Sequence, residues 1–196
     1  DFYHVKFNDS FDNVKVENLV TPFKNITELV VSRDGSVWIG TAGNGLWRMT
    51  PQKNDFTYQK IQPSNADKES MKKISALYED RFGNIWIGTQ NSGLWKCRLA
   101  SQTALFHSSD IGLNNLYCTT FFESDNGKVW IGTDGQGLFL VDSLFSLNNH
   151  FSDSNGLTSS NVLSSAAIGS QTYFASWGGE IVRTDGNSTK FTKVPF

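Results

Sequence analysis

Proline is scarce in this 196-residue chain, with four residues, and cysteine scarcer, with two. Two cysteines exclude a disulfide-dense scaffold. No apolar run approaches the roughly 18 residues that a membrane-spanning helix needs, and no window sustains the 3.6-residue period of an amphipathic helix. The net charge of -2 offers nucleic acid no strong electrostatic foothold, so no nucleic-acid partner is expected. Lys68 to Lys73 is broken by Glu69 and reads as a solvated loop. The three histidines, His4, His107 and His150, stand beside no Ser, Cys or acid in a nucleophile-base pattern, so no catalytic residue is assigned. The glycine cluster Gly40 to Gly45 joins two predicted strands, with no helix after it and no Lys-Ser/Thr, which argues against a phosphate loop and leaves no cofactor expected. Asp34, Asp80 and Asp125 lie at unequal offsets from the nearby tryptophans and read as turn caps, so no metal is expected. The chain opens on Asp1 without a signal-peptide core, which implies an upstream segment.

What the chain does have is a phrase that returns. Val37-Trp38-Ile39-Gly40-Thr41, Ile85-Trp86-Ile87-Gly88-Thr89 and Val129-Trp130-Ile131-Gly132-Thr133 are near copies, and Thr172-Tyr173-Phe174-Ala175-Ser176 is a worn fourth. Successive copies are 43 to 48 residues apart, a period that marks repeated supersecondary units. Upstream of each lies an apolar segment, at Ile26 to Val31, Ile74 to Tyr78, Cys118 to Phe122 and Val162 to Ile168. Gly35, Gly83 and Gly127 precede the first three tryptophans by three residues and mark a hairpin turn. Gly45-Leu46-Trp47, Gly93-Leu94-Trp95 and Gly137-Leu138-Phe139 open a third strand after a second turn. A less regular fourth is predicted at Phe56 to Ile61, Leu105 to His107, His150 to Ser152 and Phe191 to Val194.

Four short strands at this period are the arithmetic of a β-propeller blade. The predicted fold is therefore all-β, a propeller segment of four antiparallel four-stranded blades. The units are set at 21-65, 66-111, 112-155 and a degenerate 156-196. Residues 1-20 supply half a blade, with strands at Tyr3 to Phe7 and Phe11 to Val16. A chain of this length can bury about 70% of its extended surface. No C-terminal strands are left over to complete the half blade, so an open arc belonging to a longer protein is expected.

The pattern Asp/Ser-x-x-Gly-x-Trp-Ile-Gly-Thr-x-x-x-Gly-Leu, with a further Gly-Leu ahead of the inner strand at Gly112-Leu113 and Gly156-Leu157, resembles the two-component-regulator propeller repeat from about Asn18 onward. The fourth copy departs from it, with Tyr173, Ala175 and Ser176 in place of Trp, Gly and Thr, and a following turn read as one residue shorter. That resemblance implies the periplasmic sensor region of a hybrid two-component system of gut bacteria that use polysaccharides. Its propellers are typically seven-bladed and paired, and are followed by an immunoglobulin-like domain, a membrane helix and a kinase, none of which is in this sequence. The expected parent is anchored in the inner membrane, with this segment periplasmic and itself no enzyme. Virginiamycin-type lyases use related propellers and supply an enzymatic alternative. A scaffold for dimerisation or protein docking is the other.

In a blade covered on both faces Trp38, Trp86 and Trp130 are scaffold, and Gly40, Gly88 and Gly132 leave room for a neighbour to approach. Cys97 and Cys118 align with hydrophobes of other units and are expected as buried free thiols. Asn8, Asn25 and Asn187 head Asn-x-Ser/Thr sequons of a kind frequent by chance in an Asn-rich chain.

Function is then left to the face that carries the second turns and the connections between blades. It should present Asn44, Gln90, Asn91, Asp134, Gln136 and Trp177 from the turns, of which Asn44, Asn91, Gln136 and Trp177 are the candidate ligand residues, with Thr21, Asn65, Asn114, Asn115, Ser159 and Asn161 from the connections. Amides paired with sugar hydroxyls, and an aromatic ring laid on a pyranose, suit an oligosaccharide. The expected ligand is an oligosaccharide or other small polar molecule, sensed without chemical change. Open propeller edges are expected to self-associate.

Overall fold

The computed structural model describes residues 2-7, 14-53, 55-62, 70-98, 105-185 and 190-195. Strands β1 (Tyr3–Phe7) and β2 (Val14–Asn18) form a two-stranded sheet. Four antiparallel meanders follow. Blade 1 holds β3 (Ile26–Val31), β4 (Val37–Thr41), β5 (Leu46–Pro51) and β6 (Phe56–Ile61). Blade 2 holds β7 (Ile74–Glu79), β8 (Asn84–Thr89), β9 (Leu94–Arg98) and β10 (Leu105–His107). Blade 3 holds β11 (Cys118–Glu123), β12 (Val129–Thr133), β13 (Leu138–Val141) and β14 (Leu147–Phe151). Blade 4 holds β15 (Val162–Ile168), β16 (Gln171–Ser176), β17 (Ile181–Thr184) and β18 (Thr192–Lys193).

Each repeated residue has a local task. The first turn closes by Gly35 N to Ser32 O and Ser32 N to Ser36 O, with the same pair at 80-84 and 124-128. Gly35, Gly83 and Gly127 take φ of 80°, 76° and 79° there, a region that costs a side chain strain. The threonine that ends the Trp phrase closes the second turn. Thr41 Oγ1 donates to Gly45 O, Thr89 Oγ1 to Gly93 O and Thr133 Oγ1 to Gly137 O, at 2.7 to 2.8 Å.

The Trp-Ile pair divides its work between the two faces of a blade. Trp38 shares a core cluster with Ile74, Leu77 and Ile87 of blade 2, and Trp86 one with Phe121, Ile131 and Phe145 of blade 3. Trp130 packs against Phe174 of blade 4 at 5.4 Å. The tryptophan thus points to the following blade, and the next residue to the preceding one. A strand buried on both faces reads as continuously apolar, not alternating.

Every innermost strand carries a bulge between its first and third residues. In three blades the extra residue is hydroxylic and bonds the next blade's innermost strand: Thr27 Oγ1 to Ile74 O, Ser75 Oγ to Cys118 O and Thr119 Oγ1 to Val162 O. A second tie lies on the opposite face. Arg33 donates to Asp80 O and Arg81 O, and Arg81 donates to Ser124 O and Asp125 O while pairing with Glu123 at 2.7 Å.

The structure amends several expectations. The second turn of blade 4 is as long as the others, because Ala175 pairs with Ile181 as Gly132 pairs with Leu138. Glu180 stands where Gly45, Gly93 and Gly137 stand, and Gly178 and Gly179 supply the positive φ instead. The fourth strand of blade 3 begins at Leu147, three residues before the predicted start, once Phe145 at φ 67° has turned the chain into the core. β2 begins at Val14, and residues 11-13 of the predicted strand lie outside the described residues. A 3-10 turn at Ser108–Ile111, capped by His107, follows β10 and is not part of the repeat pattern.

Candidate functional site

Strand direction puts the second turns and the connections between blades at one end of the sheets, and backbone bonds fasten the two together. Ala42 N, Gln90 N, Asp134 N and Trp177 N each donate to the residue just before their own blade's innermost strand, at Asn25 O, Lys73 O, Tyr117 O and Asn161 O. The worn fourth repeat keeps this bond at 2.9 Å. Links also run to the neighbouring connection: Gly43 N and Gly45 N to Lys72 O, Leu94 N to Ser108 Oγ and Gly137 N to Ser160 O. This face is consequently a set of pinned turns.

All four candidate residues lie on it, one per blade, and all are exposed. Asn44 and Gln136 share a repeat position with Ser92, whereas Asn91 stands one residue earlier in its turn. Asn44 Oδ1 accepts from Lys24 N at 3.1 Å, so the amide's donor end is what this side chain can offer. Gln136 Nε2 donates to Asn115 O, and the Gln136 backbone carbonyl accepts from His150 Nε2 at 2.7 Å. Trp177 is 72% exposed, with its backbone held and its ring in solvent. The four are spread over successive turns and are not gathered into one pocket. A groove of about 640 Å³ lies where β2 leads into blade 1, lined among others by Phe2, Leu19, Thr21, Phe23 and Lys24. Of the connection residues, Asn115 takes φ 55°, Ser159 Oγ accepts from Asn161 N, and Asn65 lies outside the described residues.

Two histidines sit closer to a hydroxyl and to aromatic rings than the sequence suggested. His107 lies 4.1 Å from the Trp95 ring centroid, and His150 stacks on Phe139 at 4.3 Å. His107 Nε2 donates to Ser92 O at 2.8 Å, which makes Nδ1 the acceptor for the Ser109 hydroxyl at 2.6 Å and for Ser109 N. Asp110 accepts from His107 N and completes a capping box. The Ser-His contact belongs to the cap that starts a 3-10 turn.

A buried polar cluster was also missed. Asp80, expected as a turn cap, accepts from Phe82 N and Asn84 N, but its carboxylate also takes Asn84 Nδ2 and Trp86 Nε1 at 2.8 to 3.0 Å. Lys96 is 1% exposed, places its ammonium 4.7 Å from the Trp86 ring and donates to Ser143 O. Burial pushes its pKa down, and the Asp80 charge opposes that shift. The sequence signal was available in the repeat phase, where Asp80 replaces Ser32 and Ser124. In blade 1 the Ser32 hydroxyl and Trp38 Nε1 are buried without partners.

Both cysteines are free and buried. Burial pushes the Cys118 thiol up to about 12 and raises that of Cys97 as well. Among the described residues no cluster of three His, Cys, Asp or Glu side chains is arranged to hold a metal.

Residues 69–91 and 112–135, covering the Trp phrases of blades 2 and 3, match the model of the two component regulator propeller. The chain carries this repeat. No curated protein matches the chain. Among solved structures it is similar to PorZ, a surface component of the type-IX secretion system of Porphyromonas gingivalis, at 16% identity and TM-score 0.72 over 89% of this chain and 28% of that one. It is similar to the extracellular domain of a hybrid two component system from B. thetaiotaomicron at 21% identity and TM-score 0.68, over 87% of this chain and 25% of that one. Virginiamycin B lyase from Staphylococcus aureus matches at 15% identity and TM-score 0.72, over 99% of this chain and 63% of the lyase. The chain thus spans about a quarter of the first two and under two thirds of the lyase. At these identities the likeness establishes the propeller fold.

Proposed function

We propose that this run of two-component-regulator propeller repeats is part of the extracytoplasmic, periplasmic sensor region of a membrane-anchored hybrid regulator, and that it detects an oligosaccharide without altering it. The observation that carries the reading is Trp177. A large aromatic ring 72% in solvent, on a backbone fixed by Trp177 N to Asn161 O, offers a positioned apolar face on which a pyranose can stack. It shares its face with the amides of Asn44, Asn91 and Gln136, which can pair with sugar hydroxyls. The hybrid two-component system among the structural relatives supports the assignment to a sensor region.

The test is calorimetric titration of the complete extracytoplasmic region with a panel of oligosaccharides, for the native protein and for the variant with Asn44, Asn91, Gln136 and Trp177 changed to Ala. The expected result is saturable binding that the fourfold change removes. Binding indifferent to all four changes would show that another surface is used, and conversion of a ligand would favour the lyase-like alternative.

One observation favours a second role, self-association. The outward flank of β15 exposes Leu163 and Ile168, at 41% and 70%, on a sheet face whose counterparts in blades 1 to 3 are covered by a blade. Sedimentation velocity of the chain should show a concentration-dependent dimer that Leu163→Lys with Ile168→Lys abolishes. A monomer at all concentrations would end this reading.

A further inference from the structure

Three of the four second turns share one build, and the fourth has exchanged it for another. In blades 1 to 3 the turn opens on a threonine whose hydroxyl donates to the carbonyl of a closing glycine, Gly45, Gly93 or Gly137. In blade 4 the opening residue is Ser176, whose Oγ is buried without a partner, and the closing residue is Glu180. Backbone bonds close this turn, Ser176 N to Glu180 O at 2.8 Å and Gly179 N to Ser176 O at 3.3 Å. Trp177 stands where the other turns have Ala42, Gln90 and Asp134. Between Trp177 and Glu180 lie Gly178 and Gly179, and a Cβ on either would meet nothing within 4 Å. The departures from the repeat thus install an exposed ring and a carboxylate around open space. Three residues span at most about 11 Å, so the two side chains leave the backbone within reach of adjacent sugar units.

The carboxylate is held from two sides. In every blade one fourth-strand residue pairs with the second residue of the third strand: Lys60, His107, His150 and Lys193. In blades 2 and 3 that side chain fastens the backbone of the turn, His107 Nε2 to Ser92 O and His150 Nε2 to Gln136 O. In blade 4 Lys193 Nζ donates to Glu180 Oε1 instead. The Thr158 hydroxyl, on the connection that enters blade 4, hydrogen-bonds the same carboxylate. Lys193 first and Thr158 second hold the Glu180 carboxyl below the usual carboxylate range. The Glu180 side chain is 33% exposed. A carboxylate has about four acceptor sites, so two donors leave room for two hydroxyls. Glu180 and Lys193 are neutral as a unit, which suits an uncharged ligand beside the Trp177 ring.

We propose that the β16–β17 turn of blade 4 is a subsite for a neutral pyranose, with Trp177 against the apolar face of the sugar and Glu180 accepting from two neighbouring hydroxyls. Lys193 and Thr158 position the carboxylate. The inference rests on the sensing function above, narrows its ligand to uncharged saccharides and adds Glu180 as the residue that sets specificity.

The test is calorimetric titration of the complete extracytoplasmic region with maltotetraose, xylotetraose and mannotetraose, and with a galacturonate and a glucosamine tetrasaccharide as charged counterparts. At least one neutral probe should bind about tenfold more tightly than either charged one. For that probe Trp177→Ala should cost about tenfold or more. Glu180→Gln should cost about tenfold, because a charged acceptor gives way to a neutral one. Lys193→Gln should cost about threefold, and Lys193→Arg should restore the affinity. Deoxy derivatives of the probe should lose about tenfold at two neighbouring positions against the native protein and almost nothing there against E180Q, a coupling that a merely structural role would not produce. All variants should keep the native melting temperature.

Native affinity in E180Q, deoxy sugars weakened equally in native protein and variant, or a preference for a charged probe would each overturn the proposal. Any of these, with saccharide binding still lost on changing Trp177, would leave the sensing function standing. Absence of saccharide binding to the native region would count against both.

Discussion

Blade 2 and blade 4 have the same four strands in the same order, yet their second strands differ in burial. β8 is buried at every residue, whereas β16 alternates between buried and half-buried. The departures that make the fourth repeat look worn fall on one side. Tyr173 replaces the tryptophan that points to the following blade, whereas Phe174, which points back to blade 3, is fully buried. Ala175 replaces a glycine whose hydrogen is needed only beneath a neighbour. A Cβ on Gly88 would lie 2.6 Å from Cys118 Cβ, and one on Gly40 would lie 2.6 Å from Ile74 Cγ2. Leu163 occupies the bulge from which Thr27, Ser75 and Thr119 reach the next blade. Half of the repeat is therefore a code for receiving a neighbour, and blade 4 retains the other half.

Truncation of the tryptophan should separate the two blades most. Trp86→Ala removes a fully buried ring, its bond to Asp80 and its contact with Lys96, and should lower stability by about 3 to 5 kcal/mol. Tyr173→Ala should cost about 1 kcal/mol, the central value for point changes. Denaturant unfolding of the two variants measures the gap, and equal losses would break the comparison.

Exchanging the glycine and the alanine comes next. Gly88→Ala forces a Cβ against the Cβ atoms of Cys118 and Ala76, neither able to swing away, and should cost about 1 to 3 kcal/mol. The reverse change, Ala175→Gly, should cost only the backbone entropy of about 0.5 to 1 kcal/mol. A smaller difference is expected at the bulge. Ser75→Ala removes the hydroxyl bond to Cys118 O and should cost about 1 kcal/mol, while Leu163→Thr should stay within about 0.5 kcal/mol.

The smallest expected effect is none. With the Cys118 thiol pushed up to about 12 and Cys97 also raised, neither is ionised or reachable at neutral pH, so Ellman's reagent should leave the native protein unmodified and label both thiols after unfolding. The sign for stability follows from the same shift. A group whose folded pKa lies above its unfolded value stabilises below the unfolded value, near 9, and that contribution fades as the pH climbs towards 12. Rapid labelling of Cys118 in the native state would mean that the junction of blades 2 and 3 opens readily.

The blades were legible because turn chemistry and the Trp phrase are local. Gly35, Gly83 and Gly127 announce their positive φ, and β3 to β5 begin and end close to their predicted limits. Where the sequence misled, the cause was distant. Leu147 joins the fourth strand of blade 3 early because Phe145 is drawn into a cluster with Trp86 and Phe106, which are far from it in the chain. Asp80 looked like any turn residue, since its bond to Trp86 depends on how β8 is buried. The candidate site was half legible. Repeat phase put Asn44, Asn91, Gln136 and Trp177 on one face, but not the bonds that engage Asn44 with Lys24 N and Gln136 with Asn115 O.

The amino-acid sequence alone determined the repeat, the four-strand unit, the places of the turns and the identity of the buried tryptophans, because each depends on residues within one unit of some 45 positions. Tertiary structure alone decided which face of each strand a neighbour would cover. It also decided that Trp177 stands in solvent while Trp130 does not, and that Lys96 is buried while Lys60 is exposed. Those outcomes depend on contacts between units, and the chemistry of a single residue carries no record of what lies across the blade.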